Sequence, residues 1–212
     1  MRARLLVPSS SVQGQYLEHI AIFAARRCRT TKDFGDLIDE VEGYSLEKRA
    51  NFLHKVVQED WAADVLEMIH LVYDIEGIPM WMVVELLRHR LLAREFSLEQ
   101  LSQRAINAER LNYEAPLAFH PIIDAYLAQI MKKAKELKLP PEELRKAFPQ
   151  GVLVNFVIGG NLRAFHHFFF MRSSPLFGGK GGAHPDFMKL ADQMQAQARE
   201  RLPHTMVAIL PA

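Results

Sequence analysis

Two short runs of β-branched and aromatic residues, each followed by a helical pattern, constrain the fold more than any other feature of this sequence. The runs read IHLVYDI at 69–75 and VLVNFVI at 152–158. Residues of these types favour strands, and Gly77 is expected to end the first strand. Gly159 and Gly160 should turn the chain out of the second strand into a helix. We therefore expect an α+β fold in which helices pack on a small, mostly antiparallel sheet.

Helical spacing of apolar residues predicts the elements around these strands. Pro79 suits the first turn of a helix that leads into Arg88. The helix at 121–137 should bury its apolar side, which consists of Ile122, Ile123, Tyr126, Leu127 and Ile130. Further helices are expected at 14–27, after Ser45 as a cap, from Pro141 to about Phe148, at 161–171 and, as the last helix, at 184–202. No fixed-period repeat and no dinucleotide-binding glycine fingerprint is present, which argues against solenoid and Rossmann architectures.

The composition fits one compact domain over residues 1–212. Hydrophobic residues make up 49% of the chain, enough for a sizeable core. A formal net charge of +1 gives no general attraction to nucleic acid or to a membrane surface, so neither is an expected partner. No apolar run reaches the length of a membrane span, and the single cysteine, Cys28, cannot form an internal disulfide. We expect a cytoplasmic protein with Cys28 buried in its core.

The chemistry of this chain is concentrated in two basic groups that are close in sequence. Arg88-His89-Arg90 stands at the end of a predicted helix, and Ser102-Gln103-Arg104 follows after eleven residues. Like charges held together repel, and an anionic ligand relieves that repulsion. Because the planar donors of arginine match phosphate oxygens, a nucleotide is the expected ligand. Consecutive helical residues are about 100° apart, so the three residues of the first group cannot all hold one small group.

A second polar group lies in a segment otherwise rich in Phe and Val. Its members are Arg145, Asn161, Arg163, His167 and Arg172. A helix from Asn161 would place Arg163 and His167 on one side. The pair His166-His167 is expected to be divided between core and surface. The glycine-rich stretch at 173–182 is expected to form a flexible surface loop.

These motifs resemble the flavin-dependent thymidylate synthases, the ThyX type, across most of the chain. The matching blocks are AARRC at 24–28, IEGI at 75–78, ELLRHR at 85–90, with the family's RHR signature, and SLEQLSQR at 97–104. The later polar residues fall at the spacing of that family's nucleotide and flavin contacts. The resemblance implies methylation of C5 of a uracil nucleotide, dUMP to dTMP. It also implies FAD as cofactor, 5,10-methylenetetrahydrofolate as carbon donor, NADPH as reductant, and a homotetramer with shared active sites.

The resemblance also assigns a role to each site residue. Arg172 and Ser102 would be the catalytic residues, with Arg172 facing the pyrimidine where a cation stabilises negative charge on the ring. The nucleotide would be bound by Glu85, Arg88, Gln100, Leu101, Ser102, Arg104, Arg172 and, from another subunit, Arg145. The flavin and its phosphates would be bound by Arg88, His89, Arg90, Asn161, Arg163 and His167.

The sequence departs from the family at positions that flank the expected nucleotide site. The spacing between Arg90 and Ser102 is longer than usual by about one helical turn of 3.6 residues. Glu85 stands where the family usually has glutamine. Its carboxylate would either repel phosphate or accept a hydrogen bond from the base. The glycine-rich loop is also longer than usual. UMP, giving 5-methyl-UMP, is therefore an alternative substrate.

Two further functions remain open from the residues. Glu85 and His89 are four residues apart on one helical face, which is the spacing of two metal ligands, but no further ligand completes such a site and no metal is expected. A helical nucleic-acid-binding module without catalysis would use Arg88, Arg90, Arg94 and Arg104. The nearly neutral net charge weighs against that alternative.

Overall fold

The computed structural model describes residues 1–59, 62–90, 92, 96–97 and 111–210. In these residues the sheet contains four strands in the order β1-β2-β4-β3, and every neighbouring pair is antiparallel. The strands are β1 (Arg2–Val7), β2 (His70–Pro79), β3 (Phe96–Ser97) and β4 (Leu153–Asn161). The helices are α1 (Ser11–Arg27), α2 (Phe34–Glu42), α3 (Leu46–His54), α4 (Met80–Leu87), α5 (His120–Leu137), α6 (Pro141–Leu144), α7 (Leu162–Arg172), α8 (Pro185–Arg201) and α9 (Pro203–Ile209). The expected α+β fold with a small antiparallel sheet is confirmed.

Both predicted strands exist, but their glycines do not end them. β2 continues through Gly77 to Pro79, and its register with β4 shifts between Ile75 and Ile78. Gly77 has a φ of 64°, and its N–H donates to Asn155 Oδ1 at 2.7 Å. Glycine adopts this backbone conformation without a steric penalty, so Gly77 forms a bulge inside the strand.

The second predicted strand also extends further than expected. Gly159 and Gly160 pair with Val72 and Leu71 inside the sheet, and α7 begins only after Asn161. β1 was not predicted, because its apolar run is short. It pairs with β2 at the edge of the sheet, and its backbone is also bound by Gln193 and Gln197 of α8.

The buried side of α1 includes a charged residue among small and apolar ones. The side chain of Glu18 is fully buried and binds the beginning of α9, where it accepts from the backbone N–H groups of His204 and Thr205. Its second oxygen lies 2.8 Å from Nδ1 of His204. The first turn of a helix has backbone N–H groups without partners inside the helix, and a carboxylate there satisfies them. Glu18 therefore joins the first helix of the chain to the last.

Three further predictions are wrong at the ends of helices. The helix predicted at 184–202 is not the last one, because α8 ends at Arg201 and Pro203 begins α9. α2 was not predicted. Cys28 lies at the C-terminal end of α1 and is exposed instead of buried, because α1 turns its small residues toward the core and its last turn toward the surface.

The apolar side of α5 is largely exposed in the isolated chain. Leu127 is buried as expected, whereas Ile122 is 65% exposed and Tyr126 is 47% exposed. Leu117 and Phe119, just before α5, are also exposed. The prediction that this side is buried is therefore wrong within one chain.

The stretch at 173–182 lies at the surface as expected, with Leu176 89% exposed, and hydrogen bonds anchor it to its neighbours. Ser173 is fully buried, and its Oγ lies 2.8 Å from Oε1 of Gln195 on α8. The side-chain amide of Gln195 donates to the carbonyl of Phe177, and the N–H of Lys180 donates to the carbonyl of Phe170. These bonds fix the path of the loop between α7 and α8. None of the helices in the described ranges combines the length and the apolar composition needed to cross a bilayer.

Candidate active site

The end of α4 and one side of α7 form a cleft that is lined by five of the predicted site residues, Arg88, His89, Arg90, His167 and Arg172. Arg88 is the C-terminal cap of α4, and His89 and Arg90 follow in a turn. The cleft has a volume of about 390 Å³. Its described lining consists of Arg88, His89, Arg90, Leu92, Ala164, His167, Met171 and Arg172. Arg88, His89 and Arg90 thus face His167 and Arg172, from which some eighty residues separate them in the sequence.

The guanidinium of Arg172 is held by three contacts. Its Nε donates to Nε2 of His89 at 3.0 Å. Its Nη2 lies 3.6 Å from a carboxylate oxygen of Glu85, which is an ion pair without hydrogen-bond geometry. Its Cζ lies 5.0 Å from the centre of the Phe187 ring, within the range of a cation–π contact. Arg172 is 22% exposed, so these contacts are partly shielded from water.

His89 is a neutral hydrogen-bond acceptor in this cleft. Its ring packs edge-on against Phe168 at a centroid distance of 5.2 Å and lies 6.1 Å from the ring of His167. Burial and, after it, the nearby charges of Arg172, His167 and Arg88 together lower the pKa of His89 from 6.5 to about 4. Since Nε2 accepts from Arg172, the proton of the neutral ring is on Nδ1.

Glu85 neutralises part of the positive charge around the cleft. Both of its carboxylate oxygens lie 3.0 Å from Nη1 of Arg88, in addition to the contact with Arg172. The carboxylate is therefore engaged with arginine in this structure. A metal shared by Glu85 and His89 would have to displace Arg172 from both residues. Within the described ranges, no group of three or more His, Cys, Asp or Glu side chains is placed to hold a metal ion.

Residues at the start of α7 contribute partly to the fold itself. Asn161 is the N-terminal cap of the helix, and its Oδ1 accepts from the N–H of Ala164 at 2.9 Å. Arg163 forms a half-exposed ion pair with Glu67 at 2.7 Å. His167 is exposed and lines the cleft, while His166 is half-buried, so the expected division of the two histidines is confirmed.

Other predicted site residues lie elsewhere. Arg145 begins a 3-10 turn after α6 and does not belong to the described lining of the cleft. Gln100, Leu101, Ser102 and Arg104 lie outside the described residues. So does Arg94, one of the four arginines of the nucleic-acid alternative. Arg104, which belongs to the same alternative, is also outside the described ranges, and Arg88 is bound to Glu85.

The sequence did not indicate several residues that shape the site. Phe187 contacts Arg172 from α8, and Phe168 packs on His89. A second cavity of about 600 Å³ shares His167 with the cleft. Its described lining consists of His54, Gln58, His166, His167, Phe170, Gly178, Ile209 and Leu210. Aromatic residues at helical spacing are ordinary core residues in sequence, so no local signal distinguishes those that meet a functional side chain.

Comparison with known proteins points to one family. A family model described as Thy1, thymidylate synthase complementing protein, matches residues 15–204. No curated protein sequence matches the chain. The chain is similar to flavin-dependent thymidylate synthase ThyX from Helicobacter pylori complexed with FAD and dUMP, with 19% identity, a TM-score of 0.65, and coverage of 87% of this chain and 92% of that one. It is also similar to the UMP/dUMP methylase PolB from Streptomyces cacaoi bound with 5-Br dUMP, with 16% identity, a TM-score of 0.71, and coverage of 98% and 93%. At such identities the two structures establish a shared fold.

The lowered pKa of His89 predicts a specific dependence of stability on pH. Between 6.5 and about 4 the unfolded chain binds a proton at this position that the folded chain does not bind. The contribution of His89 to the free energy of unfolding should therefore fall as the pH is lowered through this window. His89→Gln keeps a hydrogen-bond acceptor but does not titrate, so the stability of this variant should fall less than that of the wild type as the pH is lowered. Urea denaturation at several pH values measures the free energy of unfolding of both proteins. If that free energy changes equally with pH in the two proteins, the lowered pKa of His89 is contradicted.

Proposed function

The chain belongs to the family described as thymidylate synthase complementing protein, and on that premise we propose that it methylates C5 of a uracil nucleotide, converting dUMP to dTMP. The carbon donor would be 5,10-methylenetetrahydrofolate, the reductant NADPH and the cofactor FAD. The observation that carries this proposal is the cleft in which Arg172 and His89 meet the exposed arginines at the end of α4. A solved structure of the same fold contains FAD and dUMP, which supports it.

The charges of the cleft suit a nucleotide monophosphate. Its described lining includes Arg88, Arg90 and Arg172, and no carboxylate belongs to that part of the lining. Phosphate oxygens accept from guanidinium groups in a planar, charge-assisted arrangement. We propose that Arg88 and Arg172 contact the nucleotide together with Gln100, Leu101, Ser102 and Arg104, whose segment follows the cleft in sequence. Glu85 would belong to the same site through its contacts with both arginines. Arg145 would reach the phosphate from another subunit.

The donor set also fits a flavin nucleotide. Arg88 and Arg90 are exposed and can donate to its phosphates, while His89, His167 and Met171 offer flat or apolar surface for a ring system. Asn161 keeps its side-chain NH₂ group as a donor, since only its Oδ1 is used to cap α7. When bound, the flavin supplies the redox chemistry of the reaction.

The chain's own residues contribute binding and electrostatics to the reaction. Arg172 faces the position proposed for the pyrimidine, where its charge would stabilise negative charge that develops on the ring. His89 is neutral at physiological pH, because its pKa is lowered to about 4, and therefore does not act as a cationic acid. Cys28 does not belong to the described lining of the cleft and instead borders another cavity, between α1 and the segment before β2. No described residue thus offers the cleft a thiol nucleophile.

UMP is the second candidate substrate, with 5-methyl-UMP as product. Two observations favour it. The chain shares its fold with a protein described as a UMP/dUMP methylase. In addition, both segments that the sequence lengthens, the one between Arg90 and Ser102 and the loop at 173–182, flank the proposed nucleotide site. UMP and dUMP differ by one hydroxyl group, and a single hydrogen bond to that group can discriminate between the two nucleotides.

Turnover of the two nucleotides tests the proposed function directly. The purified protein is expected to be yellow, with a flavin absorption spectrum, and to convert dUMP in the presence of methylenetetrahydrofolate and NADPH. The ratio of kcat/KM for dUMP and UMP then identifies the substrate. A colourless protein that binds neither nucleotide would refute the proposal.

Replacing Arg172 should separate catalysis from cofactor binding. Arg172→Ala removes the charge that stabilises the ring, and loss of one such group typically costs about 10²–10³ in kcat. Retention of flavin, measured from the absorption of the purified protein, should change much less, because the exposed arginines remain. Arg172→Lys, which keeps the charge but loses the planar fork, should be intermediate. Unchanged turnover of the alanine variant would refute the role of Arg172.

We also propose that the protein is a homotetramer with shared active sites. The exposed apolar side of α5 and the segment before it supports this, because Leu117 is 82% exposed and Ile122 65% exposed in the isolated chain. Contiguous apolar surface of this kind usually marks an interface. The proposed homotetramer also agrees with the position of Arg145, which is outside the described lining of the cleft in its own chain.

A charge on the apolar side of α5 should dissociate the assembly. Ile122→Asp would bury a carboxylate at an interface and should lower the mass measured by light scattering from about four times that of one chain. Ala128→Asp introduces the same charge about 120° around the helix and serves as the control. A wild-type protein with the mass of a single chain would contradict the proposed assembly.

A further inference from the structure

The orientation of Arg172 is determined by side chains around it that do not belong to its own helix. His89 follows α4, Glu85 lies within α4, and Phe187 lies on α8. A free arginine side chain loses rotamer entropy when it is fixed. Contacts that fix it before a ligand arrives therefore improve the affinity for that ligand.

Each of the three contacts restricts a different part of the guanidinium. His89 binds the Nε–H at 3.0 Å, Glu85 attracts the Nη2 side at 3.6 Å, and Phe187 lies 5.0 Å from Cζ. The N–H groups of Nη1 and Nη2 then remain for a ligand in the cleft. One hydrogen bond and one ion pair from the end of α4, together with an aromatic ring from α8, leave the guanidinium little freedom to rotate.

His89 suits this task because it is an acceptor in its neutral form only. The lone pair on Nε2 binds the Nε–H of Arg172, whereas an imidazolium would repel the guanidinium. The nearby Phe168 ring packs edge-on against the imidazole at 5.2 Å and limits its rotation. The acceptor is thereby itself held in place.

We propose that His89 and Glu85 are positioning residues, which act on the nucleotide through Arg172 by holding its guanidinium in the orientation that meets the uracil ring. This inference rests on the proposed function, since it takes the nucleotide to be the ligand of Arg172. It assigns to His89 an effect on nucleotide affinity that is separate from any contact with the flavin. For Glu85 it resolves the two roles that the sequence left open, because the carboxylate serves the arginines and not the base.

A double-mutant cycle with dUMP tests this proposal. The flavin-containing protein is titrated with dUMP by calorimetry, and flavin occupancy is measured for every variant. His89→Leu should weaken dUMP binding about tenfold, as expected for loss of a hydrogen bond that orients a charged group. In the Arg172→Ala background the same replacement should change the affinity by less than about twofold, because the residue through which His89 acts is gone. Equal losses in both backgrounds would overturn the proposal.

Conservative variants keep the test informative if an apolar replacement unfolds the protein. His89→Gln and Glu85→Gln retain an acceptor oxygen and should bind dUMP within about threefold of the wild type, whereas Glu85→Leu should resemble His89→Leu. His167→Leu is the matched control, because His167 lines the same cleft without binding Arg172. The effect of His167→Leu on the affinity for dUMP should be the same with and without Arg172. Loss of dUMP binding in His89→Gln as large as in His89→Leu would contradict the role of the acceptor.

The tautomer of His89 provides a readout that does not depend on the reaction. In protein with ¹⁵N-labelled histidine, Nδ1 of His89 should carry a proton and Nε2 should carry none at pH 7, and the resonance is assigned by its absence in His89→Gln. A proton on Nε2 would refute the bond to Arg172 even if the enzyme methylates dUMP. The predicted tautomer without any binding of dUMP would instead refute the proposed function and leave the geometry standing.

Discussion

The antiparallel pairing of β2 with β4 is the interaction on which the site depends. Each strand leads directly into a helix of the cleft, β2 into α4 and β4 into α7. Because the strands are antiparallel, His70 at the start of one pairs with Asn161 at the end of the other. The two helices therefore leave from opposite ends of the sheet. α4 has eight residues and spans about 12 Å, which brings its end back along the strands to α7.

The electrostatics of the cleft follow from this packing. Arg88 and Arg172 come from segments far apart in the chain, and both contact the carboxylate of Glu85. A half-buried imidazole between the helices stays neutral because burial and a neighbouring guanidinium both oppose its protonation. The result is a site that retains positive charge for an anion while its central arginine is already oriented. Glu85 reduces the repulsion between the two arginines, because its carboxylate lies beside both.

The sequence predicted most of the elements but few of the contacts between them. The strand runs, the cap at Ser45, the helix expected from Asn161 and the basic end of α4 depend on local residue types, and each is confirmed. Predictions that required knowledge of a distant partner were wrong. Glu18 is buried because α9 places unpaired N–H groups beside it. Likewise, Ile122 and Tyr126 on the apolar side of α5 are exposed because no element in the described ranges covers them.

The sequence by itself determined the family, because motifs such as Arg88-His89-Arg90 are recognisable from residue type and spacing. Only the tertiary structure decided that Arg172 binds His89 at Nε2, lies beside Glu85 and packs on Phe187. The physical reason is that type and spacing act over a few residues, whereas these contacts join α4, α7 and α8 across long separations. Such contacts depend on how strands pair and helices cross, which no short segment specifies alone.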